Sequence, residues 1–178
     1  MTNYRRFYIP GGTWFFTVNL SNRRNNLLVE KISHLREAFG YVKARRPFTI
    51  QAVVILPDHL HCIWSLPSGD FDFPTRWSLL KSHFSRAVGK METISQSRAR
   101  RRERGVWQRR FWAHWITDQE DFNRHMDYIH YNPVKHGWAG RPQDWPHSSF
   151  HKYVALGIYP VTWAGGGNIV DDDPAMGE

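Results

Sequence analysis

The chain has 178 residues, of which 41% are hydrophobic and 22% charged, a composition that can bury a core and excludes wholesale disorder. Its 24 Lys and Arg outnumber its 16 Asp and Glu, and the net charge of +8 favours a polyanionic partner. Apolar stretches such as Ala52–Leu56 are far shorter than the ~20 residues that cross a bilayer, and a lone Cys62 excludes an intrachain disulfide. We therefore expect a cytoplasmic protein with no membrane partner.

Strand and helix patterns alternate through the first half of the chain. Thr13–Leu20 is rich in β-branched and aromatic residues, which predicts a strand. Leu27–Arg46 carries apolar residues at helical spacing, which predicts a helix. Two further strands are predicted over Phe48–Leu56 and His61–Leu66, with Pro57-Asp58 interrupting the sequence between them.

The second half continues the alternation. A helix is predicted over Pro74–Val88, a loop or irregular helix over Gly89–Gly105, and a short strand around Phe111–Ile116. Asp118–Tyr131 has the pattern of a final helix whose first residue is the N-cap. Because proline disfavours helical geometry in the residue before it, the chain is expected to turn irregular after Asn132-Pro133.

The resulting order, β-α-β-β-α-β-α, predicts an α+β fold of the ferredoxin-like kind. Such a βαββαβ sheet carries its helices on one face, and the last helix is additional. Residues 1–164 are expected to form one domain, and the Gly- and Asp-rich residues 165–178 a flexible tail. Since this fold hosts many activities, function has to be argued from individual residues.

His59 and His61 are the first candidates for a functional site. Side chains at i and i+2 of a strand point to the same face, so both imidazoles would converge while Leu60 enters the core. Two imidazoles on one face can hold a divalent metal and leave positions open for substrate oxygens. The alternatives are two ordinary hydrogen-bonded histidines or a cupin-like site, and the helical patterns between the strands disfavour the cupin.

Tyr128 and Asn132 are the second candidates. On a helix they lie ~40° apart, one turn from each other, to one side of the apolar stripe of Phe122, Met126 and Ile129. Alone, they are equally consistent with an aromatic residue packed near a helix end. With the two histidines they suggest phosphodiester chemistry, in which a metal completed by the Asn132 amide oxygen binds the phosphate and Tyr128 attacks it.

At these residues the sequence resembles the HUH nucleases of single-stranded DNA, whose signature is two histidines flanking a hydrophobic residue. With one tyrosine it is similar to the Y1 transposases of the insertion-sequence 200/605 type, and within them to the REP-associated tyrosine transposases. The resemblance is carried by Tyr4-Arg5-Arg6, Pro10–Asn19, Arg23-Arg24, Leu56–Gly69, Trp107–Trp112, Asp127–Gly137 and Asp144–Phe150.

This resemblance implies a role for each site residue. His59 and His61 would bind Mg²⁺ or Mn²⁺, Asn132 would be the third metal ligand, and Tyr128 would be the nucleophile. The implied fold is the ferredoxin-like one, and the domain over residues 1–164 would be catalytic. The implied substrate is single-stranded DNA with a hairpin from a repetitive extragenic palindrome (REP) and a conserved tetranucleotide at its foot. Cleavage would leave a 5′-phosphotyrosine and a free 3′-OH. The protein would be nucleoid-associated.

Two positions depart from the family pattern. Family members often carry Glu after the Phe-Trp pair and Arg before the following acidic residue, where this chain has Ala113 and Thr117. The loss of such a pair would leave the fold intact and would affect local DNA contacts or activity.

Basic segments suggest where DNA would bind. Arg98–Arg110 contains seven arginines against one glutamate and leads into an aromatic pair. Arginine with aromatic residues can hold phosphates and stack bases, although such a run can also be a solvated face. A second basic group near two glycines is interpreted as a recognition arm. The predicted DNA-binding residues are Arg5, Arg6, Gly11, Gly12, Arg23, Arg24, Arg100, Arg101, Arg102, Arg109, Arg110 and Lys135.

Two functions remain open at this point. The first is a metal-dependent enzyme that nicks and rejoins single-stranded DNA hairpins. The second is a domesticated protein that binds palindromic DNA with little or no cleavage. The presence of all four site residues favours the enzyme, because a pure binding protein need not keep them. A monomer and a dimer are both compatible with the sequence.

Overall fold

The computed structural model describes residues 9–89, 94–101 and 103–165. Its one sheet is antiparallel throughout, with the strand order β2-β3-β1-β4. This order confirms the predicted ferredoxin-like arrangement, because β1 and β3 are central and each helical crossover skips one strand. The strands are β1 (Thr13–Asn19), β2 (Thr49–Ile55), β3 (His59–Ser65) and β4 (Trp112–Trp115).

Helices cover both faces of the sheet. The helices α2 and α3 pack together over one face, and α5 packs on the other face against β2 and β3. The additional helix predicted to carry Tyr128 is therefore α5. The helices are α1 (Leu27–Glu30), α2 (Ile32–Arg45), α3 (Phe73–Val88), α4 (Gln96–Arg100), α5 (Gln119–Lys135) and α6 (Phe150–Ala155), with a 3₁₀ turn at Pro142–Asp144.

Two apolar cores hold these layers together. Under α2 and α3, alternate residues of β1 and β3 meet the helices, with Trp64 and Trp77 stacked at 4.2 Å between ring centroids and Phe16 packed beside them. Under α5, the strand residues on the other face of the sheet, such as Phe15 and Ile63, pack against the helix stripe that contains Met126 and Ile129. Alternation along each strand thus divides the apolar residues between two cores.

The structure corrects three sequence expectations. The helix predicted over Leu27–Arg46 is broken at Lys31 into α1 and α2. The strand predicted to begin at His61 begins at His59. The expected end of the last helix at Pro133 is wrong, since α5 continues to Lys135. Proline already has a φ angle near that of a helix, and the turn around it closes through a bond from the His136 N–H to the Asn132 carbonyl.

The chain after α5 contains ordered structure that the sequence did not predict. Residues 147–149 lie along β2, where the Ile55 N–H donates to the His147 carbonyl and the Ser149 N–H donates to the Val53 carbonyl. This contact covers the edge of the sheet that β2 would otherwise expose. The helix α6 follows directly.

Some predictions fall outside the described residues. Arg5, Arg6 and Arg102 are among them, and so is the predicted tail apart from Gly165. Within the segment expected to be irregular, α4 is a short helix. None of the helices that the structure describes is long and apolar enough to cross a membrane.

The start of α5 is fastened by two aspartates. Asp118 caps the helix by accepting from the Asp121 N–H, as predicted. Asp121 itself is buried and accepts from the Thr117 N–H at 3.0 Å, from Arg124 at 3.0 Å and from His114 Nε2 at 2.9 Å. Burial alone would raise the pKa of Asp121, but these hydrogen bonds outweigh burial and hold it well below the usual range.

We expect Asp121→Asn to lower the free energy of unfolding by about 1–3 kcal/mol at pH 7, because it weakens several charge-assisted hydrogen bonds. A carboxyl with a lowered pKa stabilises the fold above its unfolded pKa of ~3.9 and loses that contribution as the pH falls further. Urea unfolding of both proteins at pH 7, 4 and 3 should show the difference shrinking mainly between pH 4 and pH 3. Exposed Glu120→Gln is the matched control, and an equal effect of both substitutions would contradict this role.

Candidate active site

The predicted histidine pair lies on the face of β3 that is covered by α5. His59 and His61 are almost fully buried, and their ring centroids are 4.9 Å apart. In the central strand pair, His61 lies opposite Thr17 and His59 lies opposite Asn19. The convergence expected from the alternation of a strand is therefore present.

Each imidazole is held through its Nδ1 atom. His59 Nδ1 bonds to the Asp58 carboxylate at 2.7 Å, and His61 Nδ1 bonds to Thr17 Oγ1 at 2.9 Å. Since a carboxylate only accepts, the proton of His59 is on Nδ1 and its lone pair is on Nε2. Metal-binding histidines characteristically donate one ring N–H to such a partner and bind the ion through the other nitrogen.

Arg23 completes this arrangement from the loop after β1. Its Nε donates to the Asp58 carboxylate, and Nη1 donates to Asn19 Oδ1 at 2.9 Å. Its Nη2 lies 3.4 Å from His59 Nδ1, and 43% of the side chain stays exposed. The guanidinium is therefore fixed at the rim of the histidine pair with one side toward solvent.

Burial and charge set the protonation of these groups. Burial would raise the pKa of Asp58, but His59 and Arg23 together lower it to about 2. For His59, burial lowers the pKa and outweighs the opposing effect of Asp58. The site therefore presents a carboxylate and a neutral imidazole at neutral pH, which is the form that binds metal.

One face of α5 lies opposite the histidine pair. The Tyr128 ring is 5.2 Å from the His61 ring, and the His136 ring at the end of the helix is 5.1 Å from His59. Asn132 is fully buried and lies midway between Tyr128 and His136, one turn from each. The helix thus places Tyr128 beside His61 and His136 beside His59, with Asn132 on the same side of the helix between them.

Lys135 and Tyr131 take different positions around this helix. The Lys135 ammonium is 5.1 Å from the centroid of the Tyr128 ring, a cation–π contact. Tyr131 is turned away, with its ring 6.5 Å from that of Trp163. Tyr128 is therefore the tyrosine of this helix that faces the histidines.

The residues present fit a divalent cation. His59 Nε2 is buried and has no hydrogen-bond partner among the described residues, a costly state for a ring nitrogen unless something binds it. Two imidazoles and an amide oxygen suit an ion such as Mn²⁺ and leave positions for substrate oxygens. We therefore treat His59, His61 and Asn132 as a candidate metal centre.

A second group of possible ligands lies at the start of α5. His114, Asp121 and His125 place one ligand atom each within 4.8 Å of one another. The Asp121 oxygens already accept several hydrogen bonds, one of them from the cationic Arg124, and the His114 and His125 rings are stacked at 4.7 Å. In this arrangement the group joins β4 to α5 through hydrogen bonds.

The structure separates the predicted DNA-binding residues. Gly11 and Gly12 precede β1 and Arg23 and Arg24 follow it, so the two pairs lie at opposite ends of the strand and do not form one group as expected. Gly11 has a φ of 70° and packs against the turn at Ser68, where a side chain would be strained.

The arginine run is mostly on the surface. Arg100, Arg101 and Arg110 are exposed, while Arg109 pairs with Glu103 and bonds to Ser97. Of the two departures, Ala113 is buried opposite Phe16, on the face away from the histidines. Thr117 takes part in the Asp121 hydrogen bonds through its N–H.

Comparison with known proteins now decides the family. Residues 14–132, more than half of the chain, match the family of IS200-like transposases, the Y1 transposases. The chain belongs to this family. It is therefore an enzyme of DNA cleavage and joining, and the sequence resemblance is confirmed.

Individual relatives agree with this assignment. The chain is 51% identical to the REP-associated tyrosine transposase of Escherichia coli K12 over 165 residues, or 93% of this chain and 92% of that one. A relative in Haemophilus influenzae is 43% identical over 166 residues, or 93% of this chain and 94% of that one. A solved structure of a REP-associated tyrosine transposase bound to a REP hairpin has a TM-score of 0.85 at 48% identity, covering 98% of this chain and 96% of that one.

Several site residues of this transposase were missed by the sequence analysis. Asp58 directly precedes His59 in the sequence, and this adjacency could have predicted that its carboxylate contacts the histidine. Thr17 and His136 carry no such signal, because their contacts depend on strand pairing and on the continuation of α5 past Pro133.

We predict that Asp58→Ala weakens Mn²⁺ binding by about 10–100-fold, because His59 loses the partner that fixes its tautomer and orientation. Calorimetric titration of the DNA-free transposase with Mn²⁺ measures this directly. Asp144→Ala is the matched control, since that aspartate pairs with Arg141 on the surface. Equal Mn²⁺ affinity in the wild type and Asp58→Ala would rule out the role of Asp58.

Proposed function

We propose that this transposase cleaves and rejoins single-stranded DNA at REP hairpins through a covalent bond to Tyr128. The observation that carries the proposal is the juxtaposition of the Tyr128 and His61 rings at 5.2 Å, with Asn132 one turn along the same helix. The substrate class is supported by the relatives, all three of which are named as REP-associated tyrosine transposases and one of which holds a REP hairpin.

Tyr128 has the chemistry of a reversible nucleophile. Its Oη would attack the phosphorus of the scissile phosphodiester, forming a P–Oη bond while the bond to the 3′ oxygen breaks. The phenol gives up its proton and the departing 3′ oxygen takes one, so the products are a 5′-phosphotyrosine and a free 3′-OH. Because a phenol with a pKa near 10 is a tolerable leaving group, a 3′-OH can reverse the step.

The cation of the site would be Mg²⁺ or Mn²⁺. His59 and His61 would hold it through their Nε2 atoms, and Asn132 through its amide oxygen. When bound, the ion supplies Lewis-acid neutralisation of the phosphate charge. Asp58 and Thr17 keep the two rings oriented for this task.

Lys135 and Arg23 supply the remaining positive charge. The Lys135 ammonium lies over the Tyr128 ring, where it would attract the negatively charged phosphate that Tyr128 attacks. The fixed guanidinium of Arg23 faces solvent beside His59, where it would contact a phosphate next to the one that is cleaved.

DNA contacts beyond this site are proposed on the basic surface. The exposed Arg100, Arg101 and Arg110 would hold the backbone of the strand, while Arg109 is committed to Glu103 in the DNA-free protein. Arg24, Gly11 and Gly12 stay predictions, and so do the residues outside the described part of the chain.

We expect Tyr128→Phe to abolish the covalent adduct while hairpin binding stays within about twofold, because only the nucleophilic oxygen is lost. The measurement is denaturing gel electrophoresis of the protein with a labelled REP-hairpin oligonucleotide and Mn²⁺, beside a binding titration. Excess EDTA should also suppress the adduct.

Tyr131→Phe is the matched control and should form the adduct normally, since that ring faces Trp163. An adduct in Tyr128→Phe would place the nucleophile elsewhere. Hairpin binding by a wild type that forms no adduct would instead indicate a binding protein without cleavage activity.

The arginine run can be tested through salt dependence. Each phosphate contact with a single strand contributes ~0.7 to the slope of log affinity against log salt. Replacing Arg100 and Arg101 together with Ala should therefore reduce the slope by about 1.4 and weaken binding. Hairpin affinity measured at four or more salt concentrations decides the point. The same slope in the wild type and the double variant would show a solvated face.

A further inference from the structure

We propose that the indole of Trp112 is a platform on which a DNA base next to the cleaved phosphate stacks. This inference rests on the proposed function and adds a positioning residue that belongs neither to the metal centre nor to the basic run. It starts from the way the sheet orders its side chains beside the histidine pair.

Strand register places Trp112 in the same row as His61. Thr17 lies opposite His61 on one side and opposite Trp112 on the other. Residues directly opposite one another share a face of the sheet, so Trp112 lies on the face that carries the two histidines. With two strand spacings between them, the backbones of His61 and Trp112 are ~10 Å apart.

The Trp112 side chain is partly exposed at that position. It is 38% exposed, whereas Phe111 beside it packs against Phe16 and Trp77 in the core under α3. In the sheet that the structure describes, β4 is an edge strand, so no further strand crosses the approach to Trp112. Of the aromatic pair that follows the arginine run, Trp112 is therefore the member that can meet a ligand.

The surrounding charge indicates what that ligand is. Arg110 is exposed two residues before Trp112, and Arg23 is fixed at the rim of the histidine pair. A DNA strand that is held by these cations and has one phosphate at the histidines would bring its bases next to Trp112. Any base has a π-face, and stacking on an aromatic side chain orients a base without reading its hydrogen-bonding edge.

The same strand contains a matched control. Trp115 is 37% exposed, almost the same as Trp112, but it lies opposite Trp14 on the other face of the sheet. Each tryptophan can be replaced by Thr, which suits a strand. A general loss of stability or of aromatic surface would affect both variants, whereas a stacking role affects only Trp112→Thr.

The test is binding of a fluorescent REP-hairpin oligonucleotide that includes its single-stranded foot, measured in the Tyr128→Phe background. Trp112→Thr should weaken binding about tenfold, in line with stacking of one base. Trp112→Phe should retain most of the affinity, and Trp115→Thr should bind like the parent. Circular dichroism establishes whether each variant is folded. If Trp112→Thr does not fold, the affinity of Trp112→Phe is compared with that of the parent instead.

Abasic oligonucleotides identify the stacked base. Removing the base at one position of the foot should weaken the parent by about the same factor and should not weaken Trp112→Thr further, because the two changes remove one interaction. Equal binding by the two Thr variants would overturn the inference, and so would additive losses at every foot position. Because the readout is binding, an absent Tyr128 adduct would contradict the proposed cleavage without altering this comparison.

Discussion

The antiparallel pairing of β1 with β3 is the constraint on which the rest of this molecule depends. It sets Thr17 against His61 and Asn19 against His59, and it sends Phe16 and Trp64 to the opposite face. Because side chains alternate along a strand, a slip of one residue would turn the histidines into the core under α3. The apolar packing on both faces of the sheet opposes such a slip, so the energy that folds the sheet also fixes the site.

A buried polar site needs its own supports, and these come from three segments. Asp58 holds one histidine, Thr17 holds the other, and Arg23 closes around Asp58 from the loop after β1. Each contact satisfies a group whose burial would otherwise be costly. The result is a pair of imidazoles in fixed orientations, and the lowered pKa of His59 keeps that ring neutral at neutral pH.

The sequence predicted the parts of this structure that follow from local pattern. Alternation placed the two histidines on one face, and helical spacing placed Tyr128 and Asn132 one turn apart. The supports were not predicted, because Thr17 meets His61 only through pairing across 44 residues. Proline at position 133 suggested an end to α5, but burial of Asn132 and the bonds beyond it keep the helix intact to Lys135. The position of Arg23 likewise depends on where the loop after β1 folds back.

The continuity of α5 has a consequence for the fate of a cleaved strand. Tyr128, Asn132 and Lys135 lie on one continuous helix that is capped by Asp118 and that continues past Pro133 to Lys135. A DNA 5′ end bonded to Tyr128 would therefore be carried by the same body that carries a proposed metal ligand and a cation. The position of this 5′ end relative to these groups would then be set by the geometry of the helix while the other DNA end is exchanged. One helix would thus retain the cleaved 5′ end at the site until the 3′ end of a second strand binds there.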